Sequence, residues 1–225
     1  MQRMQIAELL DTDSGSPAEV AASLGDLRRI NRWFGGVGTT QAMVERVAEK
    51  SEASTLSLLE VAGGSGYVPE TVRQIMSSKL QLEVTVLDRA ASHLKNGSQP
   101  KRAVVGDALG LPFADNSFDL VHSALFAHHL PPDELVRAVN ESLRVCRVAV
   151  LINDLIRHPF HLALVYAGMP LYRSRITRHD APASVRQAYT LSEIREVLSK
   201  TAAREIEIQR HYLFRMGVII WKRSS

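Results

Sequence analysis

Apolar residues follow two alternating rhythms along most of this chain. Short, nearly continuous runs at Leu56 to Val61, Leu82 to Leu87, Arg102 to Gly106, Phe118 to Ala124 and Arg147 to Ile152 have the length and composition of buried strands. Between them, apolar residues at helical spacing predict helices over Glu70 to Ser78 and Asp133 to Arg144. Strands alternating with helices predict an α/β fold on a parallel sheet with right-handed crossovers. A last helix, Ser192 to Lys200, precedes two strand-like runs, Arg204 to His211 and Leu213 to Lys222, separated by almost nothing. So short a join requires an antiparallel pair.

The rhythm is helical ahead of the first strand. Gln5 to Leu10 and Pro17 to Phe34 carry helical spacing, split by the turn-rich Asp11-Thr12-Asp13-Ser14-Gly15-Ser16, where Ser16 stands as an N-cap. Gly35 and Gly36 close the second helix before a third from about Thr39 to Glu49. After the fifth strand, the apolar stretch Phe160 to Tyr172 is too short and too interrupted to cross a bilayer and reads as a cap. No repeat, low-complexity block or basic-then-apolar leader pattern stands out. The expectation is one domain over 1–225, with a helical extension at 1–50 and a cap insertion at 155–190.

The join between the first strand and its helix carries the chemistry. In Leu58-Leu59-Glu60-Val61-Ala62-Gly63-Gly64-Ser65-Gly66-Tyr67, a buried strand ends in glycines and turns sharply into a helix, with Pro69 in its first turn. Glycines let the backbone approach a ligand, and the unpaired N–H groups of the helix start point into the same space. A dinucleotide fingerprint fails: its third glycine position falls on Pro69 counting from Gly64, or on Tyr67 counting from Ala62. Asp88 ends the second strand, where an acid accepts hydrogen bonds from ribose hydroxyls or else caps a helix.

The pattern acid-x-G-x-G-x-G, met here by Glu60, Ala62, Gly64 and Gly66 with Gly63 alongside, resembles the first motif of class I S-adenosylmethionine-dependent methyltransferases. The string from Gly106-Asp107-Ala108 through Leu111-Pro112-Phe113 to Ser117-Phe118-Asp119-Leu120-Val121 is similar to their quinone- and small-molecule-methylating branch. The resemblance implies a Rossmann-like, seven-stranded, mostly parallel sheet ending in an antiparallel hairpin, with S-adenosylmethionine as cofactor. It implies a cofactor site from Glu60, Ala62, Gly63, Gly64, Gly66, Asp88, Asp107 and Ala108, with Asp107 on the adenine amino group. Asn31 to Gly36, Leu125 to Leu130, Asn153-Asp154 and the string Arg178-His179-Asp180 through Tyr189-Thr190 resemble a narrower bacterial group tied to phenolic and polyketide metabolism. That implies O-methylation of a small aromatic or polyketide-like hydroxyl.

Composition trims the alternatives. The formal net charge of +3 lacks a general basic face, so nucleic acid is not the expected partner. One cysteine, Cys146, forbids an internal disulfide or a cysteine-rich zinc site and suits a reducing cytoplasm. No membrane span is expected, and a homodimer remains open. A nicotinamide-dependent reductase and a non-catalytic binding protein that kept the fold are the competing readings, the latter because Ala62 fills a glycine slot.

Transfer from a sulfonium needs mainly alignment, which is worth about 7–11 kcal/mol in favourable cases, and calls for no metal. A phenol with a pKa near ~10 benefits from a base. His128, His129, Asp154 and His158, at the carboxyl ends of the fourth and fifth strands, are the candidates, against plain capping or packing roles. Of the adjacent pair His128 and His129, one is expected to face the acceptor. Trp33, Phe34, Phe126 and Asn153 are the expected acceptor-lining residues, with the Phe160 to Tyr172 cap across from them.

Overall fold

The strands are β1 (Thr55–Val61), β2 (Gln81–Asp88), β3 (Ala103–Val105), β4 (Phe118–Ala124), β5 (Cys146–Leu155), β6 (Glu205–His211) and β7 (Arg215–Trp221). In the computed structural model, which describes residues 1–12, 15–95 and 102–223, they form one sheet in the order β3-β2-β1-β4-β5-β7-β6. The first five are parallel, and β7 runs antiparallel between β5 and β6. Strand order reverses between β1 and β4, which opens a crevice at their carboxyl ends.

Successive side chains of a strand face opposite ways, and β1 feeds both sides of the sheet. Leu59 and Val61 join one buried apolar cluster, while Leu56 and Leu58 join the other. The helices α2 (Gly36–Ser51) and α3 (Tyr67–Met76) cover the second cluster, and α5 (Pro132–Val145) and α8 (Leu191–Leu198) cover the first. A short α4 (Ala91–Lys95) follows β2. Ahead of the sheet, α1 (Pro17–Trp33) starts at a capping box: the Ser16 hydroxyl accepts from the Glu19 N–H, and the Glu19 carboxylate accepts from the Ser16 N–H. The predicted linker over 11–16 lies partly outside the described residues, at 13–14.

The helix expected over Gln5 to Leu10 does not form. Residues 1–8 are irregular, with one 3-10 turn at Leu10–Thr12. The backbone donors a helix would have used go instead to α7 (Arg175–Gln187). Ile6 N–H reaches Gln187 Oε1 at 3.2 Å, and the Leu9 and Leu10 N–H groups reach the two oxygens of Asp180 at 2.9 and 3.1 Å. A short segment held by side-chain acceptors satisfies its backbone without nucleating a helix. The first twelve residues thus form a strap across the carboxyl edge of the sheet.

The insertion after β5 holds α6 (Pro159–Ala167) and α7. The α6 helix buries none of its residues, and Phe160, Leu164, Tyr166 and nearby Leu171 are exposed. Among the described residues, no helix is long and apolar enough to cross a membrane.

Candidate active site

One cavity of about 450 Å³ opens over the crevice between β1 and β4, a size in the range of small-molecule and cofactor sites. Its floor is the turn after β1. Gly64 and Gly66 have φ of +52° and +68°, and Ala62 takes +54°. Gly63 has ordinary φ but no room: a Cβ there would sit 2.4 Å from Glu60 Cγ and 2.8 Å from Val86 Cγ1. Asp88 fastens the turn, its Oδ2 accepting from Gly64 N–H at 2.8 Å and its Oδ1 from Ala90 N–H at 2.8 Å. Asp88 thus braces the backbone on both sides, ahead of α4 rather than at its cap position, and lines the cavity. Asp107 sits in the wall, its Oδ1 accepting from Leu109 N–H at 2.9 Å, with Ala108 beside it.

Glu60 is buried beneath the turn and pairs with His122 Nδ1, whose Nε2 lies 3.0 Å from the Thr40 hydroxyl. Burial pushes the Glu60 pKa up, and His122 offsets only part of that. A ligand cation, such as the ammonium of a methionine group, would find a fixed carboxyl here.

The other end of the cavity is built where the strap meets the 3-10 turn Ala127–His129 after β4. Asp154, wholly buried on β5, accepts from His128 N–H at 2.9 Å and holds His128 Nδ1 at 2.7 Å. On its far side, His128 Nε2 lies 3.5 Å from Glu8 Oε1, without the alignment of a hydrogen bond. His129 Nδ1 meets Asp11 Oδ2 at 2.9 Å, and its Nε2 stands 3.9 Å from Glu8 Oε2. Burial works against a charged His128, yet Asp154 and Glu8 together push its pKa up to about 10. Burial likewise works to raise Asp154 and Glu8, but the facing imidazoles hold both below the usual carboxylate range. In this arrangement His128 is held between Asp154 and Glu8 rather than standing as a free base.

Phe126 lines this end and stacks on His129 at 6.3 Å. The remaining sequence expectations fall elsewhere. Asn153 neighbours Asp154 on the strand and so faces the opposite side. Its amide donates to Gly36 O at 2.7 Å and Thr40 Oγ1 at 2.8 Å and accepts from Arg215, tying α2 to the sheet. His158 is exposed and caps α6, accepting from Phe160 N–H at 3.1 Å and stacking on Phe214, so it is no base for this cavity. Trp33 and Phe34 end α1 facing solvent at 64% and 45% exposure, outside the cavity. The Phe160 to Tyr172 segment contributes nothing to the cavity wall either, and α7 adds only Ser184. The cover is the strap and α1: Glu8, Leu10, Asp11, Leu24, Leu27 and Arg28. Glu8 and Asp11 went unread in the sequence because acids scattered in a polar head carry no spacing signal.

Residues 59–151 match a family model described as a methyltransferase domain. Those residues carry a methyltransferase domain. Over 72 residues it is 40% identical to the ubiquinone/menaquinone biosynthesis C-methyltransferase UbiE of Dinoroseobacter shibae, a match covering 28% of each chain. Its fold is similar to human N-acetylserotonin methyltransferase in complex with S-adenosylmethionine, with TM-score 0.60 and 14% identity over 88% of this chain and 54% of that one. It is also similar to magnesium protoporphyrin IX methyltransferase of Synechocystis with bound S-adenosylhomocysteine, with TM-score 0.56 and 13% identity over 84% of each. At these identities the structures speak for the fold.

Proposed function

We propose that this methyltransferase moves the S-adenosylmethionine methyl group to a hydroxyl of a small, apolar-bodied acceptor of phenolic or polyketide type, in a reducing cytoplasm that suits the lone buried Cys146. The observation that carries the reading is the continuity of the cavity. A nucleotide-cradling turn with Asp88 and Asp107 at one end opens directly onto Glu8, His128 and His129 at the other, with Leu24, Leu27 and Phe126 as apolar walls. The adenine takes Asp107 and the ribose Asp88, and the methionine end lies toward Glu60. The acceptor then stands between the sulfonium and the histidine pair.

In the transfer, an acceptor oxygen lone pair attacks the methyl carbon as the carbon–sulfur bond breaks. The bonding pair stays on sulfur, leaving a neutral thioether, and the hydroxyl proton passes to the cluster. His129 is the more accessible ring of the two, with its side chain 18% exposed against 2% for His128, and it receives the proton. Asp154 and His128 position the turn that carries it.

Titration calorimetry with S-adenosylmethionine and with NADH, followed by turnover on a panel of phenols, tests this. Expected are cofactor binding without NADH binding and a methyl ether as product. NADH binding alone would establish the reductase reading, and cofactor binding without turnover on any acceptor would favour a non-catalytic protein. The local likeness to a C-methyltransferase favours one second reading, attack by an electron-rich ring carbon, which product NMR separates from the ether.

A further inference from the structure

The cluster at the acceptor end has an arrangement that proton transfer alone does not call for. Each histidine turns Nδ1 toward a carboxylate, His128 to Asp154 at 2.7 Å and His129 to Asp11 at 2.9 Å. Each turns Nε2 toward one shared carboxylate, Glu8, at 3.5 and 3.9 Å. His128 Nε2 is buried without a hydrogen-bond partner. Among the described residues, Glu8, His128 and His129 form one group whose ligand atoms all lie within 4.8 Å of one another.

We propose that Glu8, His128 and His129 bind one divalent transition-metal ion, of the zinc(II) or iron(II) class. Two imidazole nitrogens and one carboxylate are a donor set suited to such ions, leaving positions open for solvent or substrate. Ligand atoms about 2.0–2.2 Å from one ion at a tetrahedral angle stand about 3.3–3.5 Å apart. The His128 Nε2–Glu8 Oε1 edge already has that length, His129 Nε2 is 3.9 Å from Glu8 Oε2, and the ligand atoms of the group all lie within 4.8 Å of one another.

The outer partners are also in place. Metal-bound histidines characteristically hand their second nitrogen to a carboxylate, which fixes tautomer and orientation, and Asp154 and Asp11 occupy those places. Glu8 is itself held: Oε1 accepts from Ser184 Oγ at 2.7 Å and Gln187 Nε2 at 2.8 Å. The site opens to the cavity beside Phe126 and Leu130, where an oxygen acceptor would complete the coordination and be held as its anion. The donor set stands independently of the acceptor proposed above, but with an ion bound His129 is a ligand and no longer the proton acceptor, and the site departs from the sequence expectation that the chemistry calls for no metal.

The test uses full-length, tag-free protein stripped with chelator, titrated with zinc chloride by calorimetry and assayed for metal by mass spectrometry after gel filtration. One ion per chain is expected. Replacement of a ligand, in Glu8→Gln or His129→Ala, should weaken binding by at least about 100-fold, and Asp11→Asn, which leaves all three ligands, by about 10–100-fold. His158→Ala, exposed and remote, should bind like the parent. Thermal melts establish that each variant is folded, and the surface-lying Asp11→Asn keeps the test alive if Glu8→Gln is not. Retention well below one ion per chain, or equal binding by parent, Glu8→Gln and Asp11→Asn, would overturn the site. Stoichiometric zinc without methyl transfer would count against the proposed function alone, and methyl transfer by protein that fails to bind zinc would count against this site alone.

Discussion

Two adjacent residues in the turn after β1 should respond with opposite sign to exchanging alanine and glycine. Gly63→Ala adds a methyl where Glu60 Cγ is 2.4 Å and Val86 Cγ1 is 2.8 Å away. Glu60 is 2% exposed and cannot swing into water, so it must give ground and loosen its contact with His122. Overpacking costs about 1–3 kcal/mol, and fully breaking a buried ion pair about 3–5 kcal/mol. Partial loosening places the sum at about 2–5 kcal/mol, which for a chain of this size lowers Tm by roughly 5–15 °C. Ala62→Gly does the reverse. Its φ of +54° costs an L-residue about 1–2 kcal/mol, while glycine gives back about 0.4–1 kcal/mol through the unfolded chain. The net is a gain of about 0–1.5 kcal/mol, or a Tm rise of up to roughly 5 °C. Thermal melts by circular dichroism at one scan rate measure both. A Gly63→Ala protein melting within about 1 °C of the parent, or an Ala62→Gly protein melting clearly lower, would refute the account of the turn.

Asp88→Ala should lower S-adenosylmethionine affinity at least tenfold by calorimetry, since one charge-assisted hydrogen bond is worth about 1.5–3 kcal/mol; unchanged affinity in a folded variant would remove Asp88 from the cofactor site. With a competent acceptor, His129→Ala should lower turnover by about 10²–10⁴-fold with little change in cofactor affinity, and His158→Ala should leave both unaltered; parental turnover in His129→Ala would end that residue's role. Cys146 is wholly buried and burial pushes its thiol up to about 11, so a thiol reagent at pH 8 should label it only after unfolding, and rapid labelling of native protein would contradict its packing. For Asp119, burial works to raise the pKa, but Arg147 and the Ser57 donors hold it below its ordinary value. A depressed carboxyl contributes stability above its unfolded pKa and loses it as pH falls through the folded one. Asp119→Asn should therefore melt lower than the parent at pH 7 and close to it near pH 2.5; an equal deficit at both would show that the charge is not the cause.

The residues expected at the cofactor end meet in one cavity because its parts are local. Glu60 near the end of β1 with Ala62 to Gly64 after it, Asp88 closing β2, and Asp107 with Ala108 just past β3 all sit at the carboxyl ends of strands, so a strand boundary read from apolar spacing also places the candidate residue beside it. The acceptor end draws on residues far apart in sequence, joining Glu8 and Asp11 to His128 and His129 and to Ser184. Asn153 and Asp154 show the limit clearly. Period-two alternation says that one of them faces the cavity, but which one depends on where the turn carrying His128 settles, and no local pattern reports that. The Gln5 to Leu10 segment misled for a related reason. Its spacing of Ile6, Leu9 and Leu10 suits a helix, yet Asp180 and Gln187, 170 to 181 residues away, satisfy its backbone in another conformation.

The two ends also differ in what holds them. The turn under the cofactor is fixed by the sheet: Gly63 N–H donates to Leu87 O at 3.1 Å, Asp88 clamps Gly64, and Glu60 is locked beneath. The strap is attached chiefly by polar contacts. Among residues 1–12 only Glu8 is buried, and Arg3 anchors the segment by donating to the Gln187, His128 and Leu130 carbonyls while lying over the Tyr189 ring. Segments with little buried apolar area and many partly exposed hydrogen bonds open at the lowest free energy. On the function proposed above, a firmly held turn under the cofactor then stands beside an acceptor end covered by a strap held chiefly by polar contacts. Glu8 and Asp11 lie on that strap, so lifting it would leave His128 with Asp154 but without Glu8. Under that reading, closing the strap would bring Glu8 and Asp11 to the histidine pair and cover the acceptor in one movement, a role that α6, turned out to solvent, does not fill.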